Sequence, residues 1–301
     1  MFNVPVAAEG ELSVTFAGVC TLLFDDGQSA LLFDGFFSRP SLLAAGLGKI
    51  APNRARIDSG LARLGLNSEP ERPLLEAVVP VHSHFDHVMD SAEVAQRTGA
   101  RLLGGTSTAN VGRGAHLPKH QVHVVEPRVP VTYGAYALTF VESEHCPPDR
   151  FPGSITEPVV PPVKAAAYKC GEAWSVLVEH VSGRTALVQG SAGYVPGALR
   201  DFSAEVVYLG VGQLGLLEES YLEEYWTQVV RAVSARCAVL THWDDFFRPL
   251  DHPLRALPFA ADDLDVTLRV LRRLAETDGI AVHLPTLWHR EDPWSVPPSR
   301  R

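Results

Sequence analysis

The run His82-Ser83-His84-Phe85-Asp86-His87 gathers three imidazoles and a carboxylate in one short stretch. Along an extended chain side chains alternate, so His82, His84 and Asp86 are expected to point one way, with His87 following as the chain turns toward a helix. Imidazole nitrogen and carboxylate oxygen are donors that borderline divalent ions such as zinc accept, and a catalytic site of this type leaves one position open for water. The spacing suits a metal better than a proton relay. An accidental surface cluster is the weaker reading, because perturbed polar groups at the end of a buried strand belong more often to a functional site.

The elements that must carry this run are legible in outline. The apolar run Leu74 to Val81, interrupted by Glu76 and Pro80, reads as a buried strand leading into the histidines. Upstream, Leu12 to Ala17, Thr21 to Phe24 and Ala30 to Asp34 form an antiparallel meander, with Asp25-Asp26-Gly27 as a turn. Between Pro40, Pro52 and Pro70 the residues Leu42, Leu43, Leu47 and Ile50, then Ile57, Leu61 and Leu64, recur at helical spacing, predicting a helical insertion over residues 39 to 70. Downstream, Asp90 is placed to cap a helix, answered by Glu93 and closed by Gly99. Strands are expected at Val122 to Val125, Val129 to Tyr133, Ala137 to Val141, Ser175 to His180, Thr185 to Gln189, Val206 to Leu209 and Ala238 to Thr241. Helices fit Glu218 to Val233 and Asp262 to Thr277. Strand runs precede a helix in both halves, which predicts two sheets with helices outside rather than a regular βαβ alternation. Cys146 to Val163 holds six prolines and reads as a stiff loop directly after His145.

The chain has 301 residues, 46% of them hydrophobic, enough for a sizeable buried core. A net charge of -9 provides no basic field for a phosphate backbone, so nucleic acid is not an expected partner. The terminal Arg300-Arg301 pair reads as a solvated tail. Four cysteines, Cys20, Cys146, Cys170 and Cys237, lie far apart without a Cys-x-x-Cys pair, which argues against a zinc knuckle or disulfide framework and fits a reducing cytoplasm. Met1 to Pro5 lack the features of an export signal, and no run has the ~20 apolar residues of a membrane span. A small-molecule substrate is the expected partner; oligomeric state is not encoded in any pattern seen.

The histidine run resembles the signature of the metallo-β-lactamase superfamily, His-x-His-x-Asp-His after a buried strand. The resemblance covers about Leu12 to Asp245 and extends to Asp34 at the end of an early strand, His145 after Ala137 to Val141, and His242 after a late strand. It implies a single α/β domain over residues 1 to 301, a four-layer αββα sandwich of two mixed sheets with helices on the outer faces. The branch is similar to lactonase and phosphodiesterase-like members. By the same resemblance His82, His84 and His145 would hold one ion, and Asp86, His87 and His242 a second. Zinc is the implied cofactor, with manganese or iron as alternatives. The resemblance fails at one position: where the family has Gly-Asp-Thr-Gly, with an aspartate bridging two metals, this chain reads Gly190-Ser191-Ala192-Gly193. A neutral hydroxyl replaces an anion, so the enzyme would work with one ion, or a spare carboxylate among Asp244, Asp245, Glu144 and Asp149 would move in. For Asp244 and Asp245, capping of backbone amides is an equal alternative. A bound dication makes water acidic near neutral pH and polarises the carbonyl or phosphoryl under attack. In a one-ion site Asp86 would accept the water's proton, and His87 and His242 would donate to a developing oxyanion. Asp34 would orient a histidine by accepting its other N–H.

Other signals are weaker. Gly210-Val211-Gly212-Gln213-Leu214-Gly215 satisfies a dinucleotide-binding pattern, but the following helix starts only near Glu218, too late to offer its N-terminus to a pyrophosphate. Gln189-Gly190-Ser191-Ala192-Gly193 lacks the first glycine of a nucleophile elbow and leaves the His82 cluster unexplained. Cys146 reads as a small buried hydrophobe, and Tyr221, Tyr225, Trp226 and Trp243 as core. Two functions compete: a hydrolase using metal-activated water on an ester-like bond (lactone, ester, thioester or phosphodiester), and a non-catalytic binding protein that kept the fold. The retention of so many polar groups favours the hydrolase, since an abandoned site gains nothing by keeping them together out of water.

Overall fold

The computed structural model describes residues 12–66 and 74–296. The expectations for Met1 to Pro5, for the last residues of the insertion including Pro70, and for Arg300-Arg301 lie outside the described residues.

The meander forms β1 (Ser13–Phe16), β2 (Leu22–Asp25) and β3 (Ser29–Phe33), each antiparallel to the next. After the insertion come β4 (Leu74–Val79), α3 (Phe85–Val88), α4 (Ser91–Thr98), β5 (Arg101–Gly104), α5 (Thr106–Gly114) and β6 (Val122–Val124). The second sheet is laid down by β7 (Val131–Tyr133), β8 (Tyr136–Ser143), β9 (Ala173–His180), β10 (Thr185–Gln189), β11 (Val206–Gly210), β12 (Cys237–Thr241) and β13 (Ala281–His283), with β14 (Arg290–Glu291) returning to the first. Two seven-stranded sheets result, in the orders β14-β1-β2-β3-β4-β5-β6 and β13-β12-β11-β10-β9-β8-β7. Each is mixed: β3 to β6 run parallel in the first, and β10 to β13 in the second.

Period-two alternation explains the layering. Phe16, Phe24, Phe33 and Val79 of the first sheet meet Phe140, Val176, Val188 and Val239 of the second in one core between the sheets. The opposite faces pack against helices. Leu32 and Val78 cover the side carrying α4, whose Val94 and Ala95 are buried there. Val207 and Leu240 cover the side of α6 (Glu219–Trp226) and α7 (Leu264–Asp278), contributing Leu222, Trp226 and Leu271. This is the αββα arrangement.

Several local expectations need correction. Within the insertion, α1 (Leu42–Leu47) is capped by Ser41 but buries none of its residues, and Leu42, Leu43 and Leu47 are exposed. Only α2 (Arg54–Arg63) turns its periodic residues, Ile57 and Leu61, inward. Asp90 does not cap α4 with its side chain; its carboxylate accepts from Phe37 N–H, Ser38 N–H and Ser38 Oγ instead, while Glu93 pairs with Arg97. Gly99 does end α4 in a left-handed conformation, φ 78°. The helix expected to Val233 gives way to a π-type turn at Thr227–Arg231. The proline-rich loop contains no strand or helix from residue 146 to 162, and Val163 pairs with Ile50 of the insertion.

Candidate metal centre

All candidate ligands lie beyond the C-terminal ends of strands, where loops diverge and leave a crevice between the two sheets. β3 runs on to Asp34, β4 to His82, β8 to His145, β10 to Ser191 and β12 to His242. The first of these ends is tied down by Asp34, whose Oδ1 accepts the Val81 N–H at 3.0 Å. Ser83 anchors the His82 segment to the loop that precedes β9: its N–H donates to Cys170 O and its hydroxyl to Lys169 O, both at 2.8 Å. The alternation expected through Asp86 stops earlier. His84 is the N-cap of α3, and Asp86 and His87 reach the centre from the first turn of that short helix. Asp34 (φ 54°), Val19 (φ 53°), Arg39 (φ 40°) and His242 (φ 58°) all hold left-handed backbone, which is costly for any of them and most for a β-branched valine. Val19, Arg39 and His242 are coupled: the His242 N–H donates to Val19 O at 2.8 Å, the Val19 N–H donates to Asp244 Oδ1 at 2.8 Å, and Asp244 pairs with Arg39.

Two groups of donor atoms result, His82 with His84 and His145, and Asp86 with His87 and His242, the atoms of each group lying within 4.8 Å of one another. They adjoin, since the His82 and His87 ring centroids are 3.9 Å apart. In the first group His82 Nε2 is 3.1 Å from His84 Nδ1. In the second, Asp86 Oδ2 is 3.4 Å from His242 Nε2 and 3.7 Å from His87 Nε2.

The outer nitrogens test whether these residues fit an ion. His145 Nδ1 is 2.7 Å from Cys146 O, His87 Nδ1 is 2.7 Å from Asp34 Oδ2, and His84 Nε2 lies 3.2 Å from Asp149 Oδ1 and 3.3 Å from Phe151 O. Every one of these partners is an acceptor, so each outer nitrogen carries a proton, and in the rings that stay neutral the inner nitrogen keeps its lone pair. The inner His87 Nε2 is fully buried with no hydrogen-bond partner, a state that is costly unless another partner occupies that position. The donor set fits a divalent ion.

Charge divides the groups. Burial, and then the neighbouring imidazoles, push His82 far down; burial lowers His84 and takes His145 to about 4. These three are neutral at pH 7. Burial also opposes charge on His87, but the Asp34 and Asp86 carboxylates overcome it and raise this imidazole. Burial likewise opposes ionisation of Asp86, yet the charge on His87 and the hydrogen bond with His242 hold its carboxyl well below the usual range.

The remaining sequence candidates go elsewhere or to the edge. Ser191 Oγ accepts the Cys146 N–H at 3.0 Å, holding the backbone just after His145. Asp244 is turned away from the centre and fully buried against Arg39, 2.7 Å from Nη2. Asp245 accepts from Phe247 N–H and pairs with Arg255 at 3.0 Å. Glu144 belongs to neither group and lines a cleft of about 300 Å³ together with His145, Asp149 and Cys170. Of the spare carboxylates only Asp149 touches a histidine of the centre. Burial pushes the Cys146 thiol up to about 12, which removes it as a nucleophile. The Gly210 to Gly215 segment offers no phosphate cradle: Asp262 already accepts the Gln213 and Gly215 N–H groups. Its glycines allow close approach, since a Cβ on Gly212 would stand 2.8 Å from His242 Nδ1.

Three features escaped the sequence reading. Phe246 stacks edge-on to His242 with centroids 5.6 Å apart, and Phe85 and Phe247 pack beside it. Phe151 covers His84. Arg39 is wholly buried; its only signal was a lone cation straight after Phe36-Phe37-Ser38.

No family profile matches the chain. A UPF0173 metal-dependent hydrolase of Anaeromyxobacter sp. strain K is 30% identical over 118 residues, covering 39% of this chain and 35% of the relative. A second, from Anaeromyxobacter dehalogenans, is 29% identical over 119 residues with 39% and 35% covered. The chain thus spans about a third of the length of the curated relatives it matches. Among solved structures, Igni18, a metallo hydrolase of Ignicoccus hospitalis, superposes with a TM-score of 0.54 at 13% identity, covering 92% of this chain and 96% of that one. CmlA, a diiron β-hydroxylase of Streptomyces venezuelae, gives 0.53 at 13% identity over 93% of this chain and 54% of that one. At this identity the likeness speaks for fold. With a His-x-His-x-Asp-His run leaving β4 and two facing mixed sheets between helices, the chain has the metallo-β-lactamase fold.

Proposed function

We propose that the chain is a metal-dependent hydrolase that attacks an ester-like bond of a small molecule with activated water. The observation carrying this is the convergence of five imidazoles and Asp86 with the outer nitrogens of His84, His87 and His145 already bonded to acceptors. A divalent ion held there supplies Lewis acidity, making water acidic near neutral pH and polarising the bond under attack. Zinc suits the nitrogen and oxygen donors, and so do manganese and iron; a diiron protein shares the fold.

The protein's own groups divide the work. His82, His84 and His145 bind through lone pairs that burial keeps free of protons at pH 7. Asp86, ionised and strongly acidic, is a weak base and a good ligand, so its ligand role outranks that of proton acceptor. His242 is partly exposed at its side chain (13%) and faces Asp86 through Nε2; in a one-ion form this N–H donates to the oxyanion that develops on substrate. The cleft beside His145 admits substrate. Its lining holds Glu144 and Asp149 and neither Lys nor Arg, which ranks lactones, esters and thioesters above highly phosphorylated compounds. The cysteines, all free and buried, fit a reducing compartment such as the cytoplasm.

Elemental analysis of the purified protein, followed by a panel of lactone, ester, thioester and phosphodiester substrates, tests this reading. Stoichiometric metal is expected, together with turnover that chelation or His84→Ala abolishes. Protein that holds no metal and turns over nothing in the panel would favour the non-catalytic alternative.

A further inference from the structure

We propose that Asp149 is a positioning residue of the metal centre, acting through His84 and tying the proline-rich loop to it. The inference rests on the reading that the centre holds an ion. His84 uses its two ring nitrogens in opposite directions: Nδ1 lies 3.1 Å from His82 Nε2, inside the three-histidine group, and Nε2 lies 3.2 Å from Asp149 Oδ1. A carboxylate can only accept, so it fixes the proton on Nε2 and leaves Nδ1 as a lone-pair donor. Its charge also makes the ring a stronger donor.

The arrangement repeats in the second group. There Asp34 Oδ2 takes His87 Nδ1 at 2.7 Å and leaves Nε2 facing Asp86. Each half of the centre thus has one carboxylate-backed histidine, but the two supports differ in rigidity. Asp34 is fully buried at a strand end, whereas the Asp149 side chain is 22% exposed on the loop that lines the cleft. Asp149 is held by the loop itself, its Oδ1 accepting the Phe151 N–H at 2.9 Å, while Phe151 O lies 3.3 Å from the same His84 nitrogen. Residues 149 to 151 therefore form a two-acceptor clamp on Nε2. Asp244 and Asp245 point to Arg39 and Arg255 and contribute nothing there.

Asp149→Ala and Asp149→Asn separate this role from loop capping. The asparagine keeps an oxygen for both Phe151 N–H and His84, and loses only the charge. Competition with a chromophoric chelator is expected to show zinc affinity about 10- to 100-fold weaker in Asp149→Ala, with Asp149→Asn in between. Nitrogen-15 histidine spectra of the metal-free protein should show His84 as the Nε2–H tautomer in wild type and a mixture in Asp149→Ala. Unchanged affinity and an unchanged tautomer in Asp149→Ala would overturn the proposal. So would a thiolate band in the cobalt-substituted protein that vanishes in Cys170→Ser, because His84, Asp149 and Cys170 also stand within 4.8 Å and would then be ligands together. Wild-type protein that takes up no zinc defeats the metallo-hydrolase reading instead, and the tautomer measurement then decides the inference alone.

Discussion

His82, His84 and His145 form a group of imidazoles alone, gathered from the ends of β4 and β8, whereas Asp86, His87 and His242 mix a carboxylate with imidazoles and have Asp34 behind them. Burial acts on both but with opposite outcomes. With no anion inside the first group, desolvation wins and its rings stay neutral. In the second, two carboxylates outweigh desolvation and hold a proton on His87. The comparison teaches that similar geometry need not mean similar charge: burial keeps protons off the first half, whereas the carboxylates of the second favour the proton on His87 that an ion would have to displace.

The largest expected effect concerns how the second half is supported. Arg39 and Asp244 form an ion pair with both side chains fully buried, and Asp244 holds Val19, which in turn holds His242. Arg39→Met leaves a buried carboxylate without its partner and should cost about 3 to 5 kcal/mol in denaturant unfolding. It should also loosen the ion near His242 before the one near His82. A loss under ~1 kcal/mol would mean that the pair supports nothing.

Next comes a ligand of the first half. Sharing the ~10 to 16 kcal/mol of a four-ligand zinc site equally assigns roughly 3 kcal/mol to each ligand, so His82→Ala should weaken the tighter ion about a hundredfold in a chelator competition. Equal loss at both ions would erase the distinction between the halves. Asp34→Asn should weaken an ion in the second group by about 10- to 100-fold and one in the first group much less, because Asp34 bonds His87 directly and touches the first group only through the Val81 N–H. Calorimetric titration of the two steps checks it.

The smallest effect is the sharpest for the comparison. His87 is raised, so it keeps its proton further as pH rises through the ordinary imidazole range, and an ion in the second group must displace that proton. Its affinity should drop by up to about tenfold as pH is lowered from about 7 to 6. His145 is lowered to about 4, so protons compete for the first group only in clearly acidic solution, and the first step should be nearly flat over the same range. Two steps with equal slopes would refute the charge asymmetry.

Much of this was legible in residue order where the pattern was long and repetitive. β10 falls where the alternation of Thr185 to Gln189 put it, and β11 and β12 differ from expectation by one residue each. Some short or poorly patterned elements were not seen. β13 and β14 have three and two residues, and α5 carries Gly112 and Gly114, residues that weaken any helical signal. The site was legible where ligands were clustered, as at His82 to His87. The outer contacts were not, because they are made across the fold: Asp149 reaches His84 over 65 positions, and Arg39 reaches Asp244 over 205. Asp90 illustrates the same limit from the other side. Its spacing to Glu93 fitted a capping box, yet the buried turn at Phe37 and Ser38 offered three donors at once and took the carboxylate.

Anomalous X-ray scattering from crystals soaked with zinc at neutral pH addresses the central claim without assuming any substrate. The account predicts a peak within bonding distance of His82 Nε2, His84 Nδ1 and His145 Nε2, with a second peak beside Asp86 and His87 that strengthens at higher pH. Crystals that soak up zinc elsewhere and show no peak between those three imidazoles would contradict it.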